Sequence, residues 1–392
     1  MTGLHHLFRK LRLLIRWLVL RGTILQWWNL NKSRRLEHAY LDRLMNEFMN
    51  SASTWPDAYE VPAAIRRSGA LKSILFIGDC MWEPGYLFPE LRKIADLRSL
   101  DLRPDLKRKP DATPARETVA RAIEKFIAES GDFVPDVILF YARASLLSEE
   151  TFHLLRRRWQ CPLLGMNLDD RVSFFPYHIY AVGDDDYGRW ARQFDLNLTN
   201  AQPALDWYRS RNLPCYFFPQ GFCREPAFAE PPDSARFDFP ISFLGSWKYE
   251  RGLFIQELMD RDIPISLFGG GWPRAQWVEN PSDIFRRTQL NLGIGYASAG
   301  GRVTNLKGRD FECPGVGACY LTTYHWELPM LYDVGREILC YRSLEDFLEL
   351  YAYYSRRPEA CLQIARAAHR RCAAEHTWEQ RFRTLFAKMG LS

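Results

Sequence analysis

Lys307, Arg309 and Glu312 stand close together in one stretch, LNLGIGYASAGGRVTNLKGRDFECPGVGACYLTTYHWELP, residues 290–329. Arg302 adds another cation, and Gly293, Gly295, Gly300 and Gly301 precede the cluster. Glycines let a backbone approach a ligand closely and present its N–H groups. Arginine and lysine neutralise phosphate oxygens. A carboxylate beside them accepts two hydrogen bonds from the cis-diol of a ribose, as acidic residues do in dinucleotide folds. The set therefore suits a nucleoside diphosphate, with Glu312 on the ribose and Arg309 and Lys307 on the phosphates. Asn305 belongs to the same stretch, and Pro314–Ala318, PGVGA, lets a short helix pack tightly on a sheet. Plainer roles compete: an acid at a helix N-terminus stabilises the dipole, and Arg309 can pair with Asp310 or Glu312.

Carboxylates elsewhere are placed to act on a second substrate. Asp79 follows the apolar run SILFIG, and Asp169 and Asp170 follow CPLLGMN. Each is expected at the C-terminal end of a strand, where it can orient a hydroxyl or act as general base. Asp79 equally suits an N-cap. His153 and His178 read as surface or structural histidines, and His376 as a capping or packing residue. The acidic run GDDDYG, residues 183–188, reads as a capped loop, so no metal is expected. Other chemistries fail on spacing. GYASAGG offers Gly-x-x-Ser-x-Gly, not the Gly-x-Ser-x-Gly of a nucleophile elbow. There is no Gly-x-x-x-x-Gly-Lys-Ser/Thr loop, no Gly-x-Gly-x-x-Gly after the first strand and no Cys/His set at zinc spacing.

These residues need strands and helices to position them, and the pattern supplies both. From Lys72 onward short apolar runs alternate with amphipathic segments: SILFIG, PDVILFYA, CPLLGMN, FDLNLTN and CYFFPQG are strands, ARETVARAIEKFIAES and AQPALDWYRSRN helices. A proline-rich stretch after Gly221 reads as a linker. The alternation then restarts with ISFLGS, IPISLFGG, LNLGIG, ACYLTT and EILCYR as strands, with helices between and after them. Such alternation implies right-handed crossovers and parallel sheets covered on both faces. The fold class is α/β: two Rossmann-like doubly wound domains, residues 70–222 and 236–375, facing a cleft. A helical extension at 1–50 precedes them, and a last helix at 376–392 packs back toward the first domain.

Charge sets the extension apart. Of the net charge of +5, residues 1–36 contribute eight Lys/Arg (Arg9, Lys10, Arg12, Arg16, Arg21, Lys32, Arg34, Arg35) and no acid, leaving 5 − 8 = −3 for the rest. A slightly acidic body excludes a general nucleic-acid binder. In the extension Leu11, Leu14, Ile15 and Leu18 share a helix face apart from Arg9, Arg12 and Arg16. The longest apolar run, Trp17–Leu20, falls far short of the roughly 20 residues of a membrane span. The reading is an interfacial helix on an anionic membrane surface, or else a helix packed on protein. Nine scattered cysteines, none in a Cys-x-x-Cys pair, fit free thiols in a reducing cytoplasm.

The second half also resembles a known family. Arg309, Phe311-Glu312, Gly315-Val316-Gly317-Ala318, Tyr320-Leu321-Thr322, Glu327, Glu337-Ile338 with Tyr341, His376-Thr377 and Arg381 follow the spaced pattern of GT-B glycosyltransferases of the spore-maturation CgeB-like type. These are relatives of the large retaining family 4. FLGSWKYERGLFIQEL resembles that domain's first strand–loop–helix, with Gly245, Ser246 and Arg251 at matching places, and LFGGGW resembles another family motif. The resemblance covers roughly Ile241–Arg381; the first half matches in architecture and in WYRSRN…YFFPQG. It implies a nucleotide-sugar donor on the second domain, held by Glu312, Arg309, Lys307, Arg251, Gly245, Ser246, Asn305 and Gly315, with no metal and no cofactor. Acceptor residues would come from the first domain; relatedness favours retention, and inversion with a first-domain carboxylate as general base stays open. With the basic extension, the expected acceptor is a saccharide or lipid-linked cell-envelope acceptor at the cytoplasmic membrane surface. In family 4 a second glutamate stands eight residues before the ribose glutamate; here that position is Thr304. That departure leaves a second reading open: a catalytically degenerate nucleotide-sugar sensor or assembly scaffold.

Overall fold

The computed structural model describes residues 60–103, 115–142, 146–174, 187–224, 236–272, 278, 280–295 and 304–391. The basic extension, the acidic run 183–186, His178, the proline-rich stretch 225–235 and the loop 296–303 with Gly300, Gly301 and Arg302 lie outside the described residues.

Six parallel strands build the first sheet: β1 (Ser73–Gly78), β2 (Asp96–Asp101), β3 (Val137–Tyr141), β4 (Leu163–Asn167), β5 (Leu196–Thr199) and β6 (Cys215–Phe217). Their order is β2-β1-β3-β4-β5-β6. The strands β4 and β5 are buried along their whole length, as a sheet covered on both faces requires. Leu75 and Ile77 enter one core layer with helices α1 (Ala115–Glu129) and α2 (Glu149–Arg158). Ile74 and Phe76 enter the opposite layer. Ser148 caps α2 by accepting from the Thr151 N–H at 3.2 Å. The edge strand β2, DLRSLD, has no apolar run and is largely exposed, so hydrophobic patterning does not reveal it.

The second sheet repeats the plan with five parallel strands: β7 (Phe239–Leu244), β8 (Ile265–Phe268), β9 (Thr288–Leu292), β10 (Tyr320–Thr323) and β11 (Leu339–Tyr341), in the order β11-β10-β9-β7-β8. In both sheets strand order reverses between the first and third strands of the unit. The crevices beyond the C-terminal ends of β1/β3 and β7/β9 are where open α/β sheets hold ligands. Helices α3 (Tyr249–Met259), α4 (Pro281–Arg287), α5 (Arg309–Gly315), α6 (Leu344–Tyr354) and α7 (Pro358–Glu375) cover this sheet.

The last helix, α8 (Trp378–Lys388), leaves the second domain and completes the first domain's core. Its Thr377–Gln380 capping box fixes the start. Trp378 then stacks on Trp82 at 5.8 Å, and Phe382 lies 4.8 Å from Phe218. His376, just before the cap, is buried, with Nε2 2.8 Å from the Leu331 carbonyl and Nδ1 3.2 Å from Arg381 Nη2. Burial and the Arg381 charge bring its pKa down to about 4. The unfolded chain therefore binds the proton first as pH falls. Stability is full above about 6.5, the ordinary histidine value, and is lost as pH drops toward 4. We expect the melting temperature of the wild type to fall across that window and that of His376→Gln to fall less. Parallel acid limbs in the two proteins would refute this assignment.

Candidate functional site

The second-domain crevice is built on a turn where a side chain would collide with Arg309. Gly245 follows β7; its N–H donates to Phe268 O at 2.9 Å, and its carbonyl accepts from Trp272 Nε1 at 2.7 Å. A Cβ at Gly245 would lie 2.8 Å from Arg309 Nη1, so the guanidinium is laid against bare backbone. Arg309 opens α5, and its guanidinium carbon is 5.8 Å from the Phe243 ring. Arg251, on α3, comes within 5.9 Å of the same ring and donates to Ser246 O at 3.1 Å. Two cations distant in sequence thus flank one crevice. Ser246 itself is exposed beside it.

Glu312 is one helical turn beyond Arg309 and half-buried. Burial pushes its carboxyl up to about 7, with Arg309 pulling the other way. Gly308 leaves room for it, since a Cβ there would sit 2.8 Å from Glu312 Oε1 and 3.6 Å from Gln220 Oε1. That Gln220 oxygen is buried with no partner among the described residues. Gln220 carries no motif signal beyond ending the first domain's last strand run, yet it lies on the same side of Gly308 as the Glu312 carboxylate.

The first-domain crevice holds a cavity of about 260 Å³ lined by Asp79, Trp82, Glu83, Tyr141, Asn167 and Asp169, among others. Tyr141 meets Trp82 edge-on at 6.0 Å, giving the cavity aromatic walls beside carboxylates. Asp79 lies at the end of β1, half-buried. Asp169 stands at the seam between domains, where its Oδ1 accepts from Lys307 Nζ at 3.1 Å and from Asn305 Nδ2 at 3.0 Å. Asn305 also donates to Leu168 O at 2.8 Å. Asp169, Asn305 and Lys307 are therefore brought together across the cleft, and the Lys307 ammonium faces a carboxylate.

Three expectations need correction. Asp170 does not share the position of Asp169. The helical turn Asp170–Ser173 swings it inward, where it is fully buried, 3.0 Å from the Tyr208 hydroxyl and 2.6 Å from Asn167 Nδ2. Burial pushes its carboxyl up to about 7. Gly315 packs rather than lines: a Cβ there would lie 2.7 Å from the Phe222 ring, and its carbonyl accepts from His369 Nδ1 at 2.7 Å. Gly293 and Gly295 have already spent their N–H groups, on Leu321 O at 2.8 Å and Thr323 Oγ1 at 2.9 Å. Their bare faces are filled by Tyr320 and Thr322, and by His325.

The seam also rests on Arg171, which patterning did not single out, and on Glu327, which the family pattern marked without a role. Arg171 is buried and donates to Glu327 Oε1 at 2.5 Å and to the Thr304 carbonyl at 2.6 Å. Glu327, fully buried, also accepts from the Gln202 N–H at 3.1 Å. Asn200 Nδ2 reaches Leu306 O at 3.4 Å. For Arg171 the one signal in the sequence was its place directly after Asp169-Asp170; its partner Glu327 lies in the other domain.

Residues 251–387, about a third of the chain, match a family model described as glycosyl transferase-like. Comparison with curated proteins finds no match. Among solved structures, Anabaena HepE in complex with UDP and glucose is similar at 12% identity, over 81% of this chain and 99% of that one, with a TM-score of 0.54. A sucrose-phosphate synthase from Thermosynechococcus elongatus is similar at 12% identity, over 81% and 99%, with a TM-score of 0.53. TarM is similar at 7% identity, over 68% and 58%, with a TM-score of 0.51. The two-domain α/β architecture is the GT-B fold.

Proposed function

We propose that the protein is a glycosyltransferase that moves a sugar from a nucleotide donor to a saccharide hydroxyl. One observation carries this reading: Arg251, Arg309 and Glu312 share the β7/β9 crevice, and across the seam from it lies a carboxylate- and aromatic-lined cavity. The nucleotide occupies the second domain, with its ribose on Glu312 and its diphosphate between the two guanidinium groups. The acceptor hydroxyl enters the first-domain cavity beside Asp79. The anomeric C–O bond to the diphosphate breaks, the acceptor oxygen bonds the anomeric carbon, and Arg251 and Arg309 stabilise the departing charge in place of a metal. A retaining course fits the engagement of Asp169 by Lys307 and Asn305, which leaves the departing phosphate oxygen to take the acceptor's proton. The aromatic wall of Trp82 and Tyr141 suits a sugar face.

A cell-envelope or lipid-linked saccharide is the acceptor class we propose, from the basic amphipathic segment 1–36, which would hold the protein on the inner face of the membrane. Among the described residues no helix is long and apolar enough to cross a membrane. The test is thermal stabilisation of the full chain by a panel of nucleoside diphosphates and nucleotide sugars. We expect one base to stabilise the wild type by several degrees. No shift with any of them would remove the donor site and favour a scaffold.

A further inference from the structure

The segment that leads into the donor helix, Thr304–Lys307, is carried on the first domain. Four contacts hold it: Arg171 on the Thr304 carbonyl at 2.6 Å, Asn305 on the Leu168 carbonyl at 2.8 Å, Asn200 on the Leu306 carbonyl at 3.4 Å, and Lys307 on Asp169 at 3.1 Å. Two residues later the same segment begins α5, which presents Arg309 and Glu312. On the other side, Arg171 belongs to the turn after β4 that supplies Asp169 and Ser173 to the acceptor cavity, beside Asn167 at the strand's end. One guanidinium therefore touches the backbone of the donor segment and is rooted in the wall of the acceptor cavity. Its second contact, Glu327, is fully buried and accepts from Gln202 of the first domain as well.

We infer that Arg171 is a positioning residue that couples the two substrate sites. Its Nη1 fixes the Thr304 carbonyl and hence the approach of Arg309 and Glu312 to the donor, and its Nη2 pair with Glu327 holds it in that pose. The inference rests on the glycosyltransferase reading, and it assigns a role to a side chain that touches neither substrate. The planar fork is required because two acceptors in different directions must be met at once; a lysine ammonium on a flexible stem cannot fix both.

A purely structural role makes a different prediction. Arg171→Met alone strands Glu327 as a buried charge and destabilises the protein for that reason. Arg171→Met with Glu327→Gln removes both charges and restores stability. In the full chain we expect the double variant to melt near the wild type yet to bind the nucleotide that stabilises the wild type about tenfold more weakly, because the Thr304 anchor is still gone. Its KM for donor should rise more than its kcat falls, and Arg171→Lys should recover part of the loss. Wild-type donor affinity and KM in a stable double variant would overturn the inference. A wild type that binds no nucleotide would instead sink the glycosyltransferase reading, so the two failures are distinguishable.

Discussion

Glu312→Gln is expected to make the ligand-free protein more stable above pH 7 and to weaken its response to nucleotide. The carboxyl titrates near 7 in the folded chain against an ordinary value of 4.5, because burial penalises the charge more than Arg309 relieves it. Between those values the native state holds a proton that the unfolded state has lost, so stability falls as pH rises from about 4.5 to 7 and stays low above. The shift sets an upper bound of about 3 kcal/mol on that penalty, and partial exposure reduces it. Glutamine keeps the shape and never ionises, so the variant should melt a few degrees higher at pH 8 and level with the wild type at pH 5. Binding should respond in the opposite sense. A ribose diol donates to a carboxylate, and replacing a charged acceptor by a neutral one costs roughly 1–3 kcal/mol, about ten- to a hundredfold in affinity. Wild-type affinity for nucleotide should therefore climb from pH 6 to pH 8, while the variant's stays flat. Calorimetric titration at three pH values checks both halves. An unchanged affinity in the variant would reject the ribose role, and an unchanged stability would reject the buried charge. Residues that weaken the empty fold and strengthen the loaded one are what a binding site is made of.

The fold was legible wherever burial leaves a pattern. The runs SILFIG, PDVILFYA and CPLLGMN are strands in the structure because a sheet covered on both faces needs uninterrupted apolar runs. The edge strand Asp96–Asp101 was not legible, since exposure removes the pattern. Register was soft at the ends: β9 begins at Thr288, two residues before the apolar run read as its start, because Thr288 and Gln289 are buried by hydrogen bonds rather than by apolar character. At the site, Arg309 and Glu312 lie one turn apart, so local spacing brings them together. Lys307 was assigned to phosphate from its charge and from the family resemblance, and the structure turns it to Asp169 of the other domain. Asp169 and Asp170 look equivalent in sequence, yet one helical turn exposes the first and buries the second. Arg171 and Glu327 show the limit most clearly. Their pairing spans two domains, and nothing local to either residue states it.

Arg309→Ala should be the more damaging change to donor binding, because that residue acts twice. Its guanidinium lies against the Gly245 turn at the crevice floor, where it can give a diphosphate two charge-assisted hydrogen bonds. At roughly 1.5–3 kcal/mol each, less what water recovers, their loss weakens binding by about 10²–10³-fold. Arg309 is also the charge that lowers the Glu312 pKa. Without it Glu312 stays protonated through neutral pH and withdraws its own contribution. The two effects separate by pH. In Arg309→Ala at pH 9 Glu312 ionises again, and affinity should recover by up to about tenfold relative to pH 7, the scale of one hydrogen bond to a charged group. Arg309→Ala with Glu312→Gln should show no such recovery. Arg309→Lys keeps the charge, so it should leave the pH profile near that of the wild type while losing the bidentate contact. Gly245→Ala offers a route that leaves both charged residues in place. A Cβ 2.8 Å from Nη1 displaces the guanidinium, and the loss of affinity should fall between those of the lysine and alanine variants. Titration of these variants with the stabilising nucleotide at pH 7 and 9 decides the matter. If Arg309→Ala shows the same deficit at both pH values, Glu312 does not ionise against Arg309, and the ribose contact must be sought at another residue of the crevice.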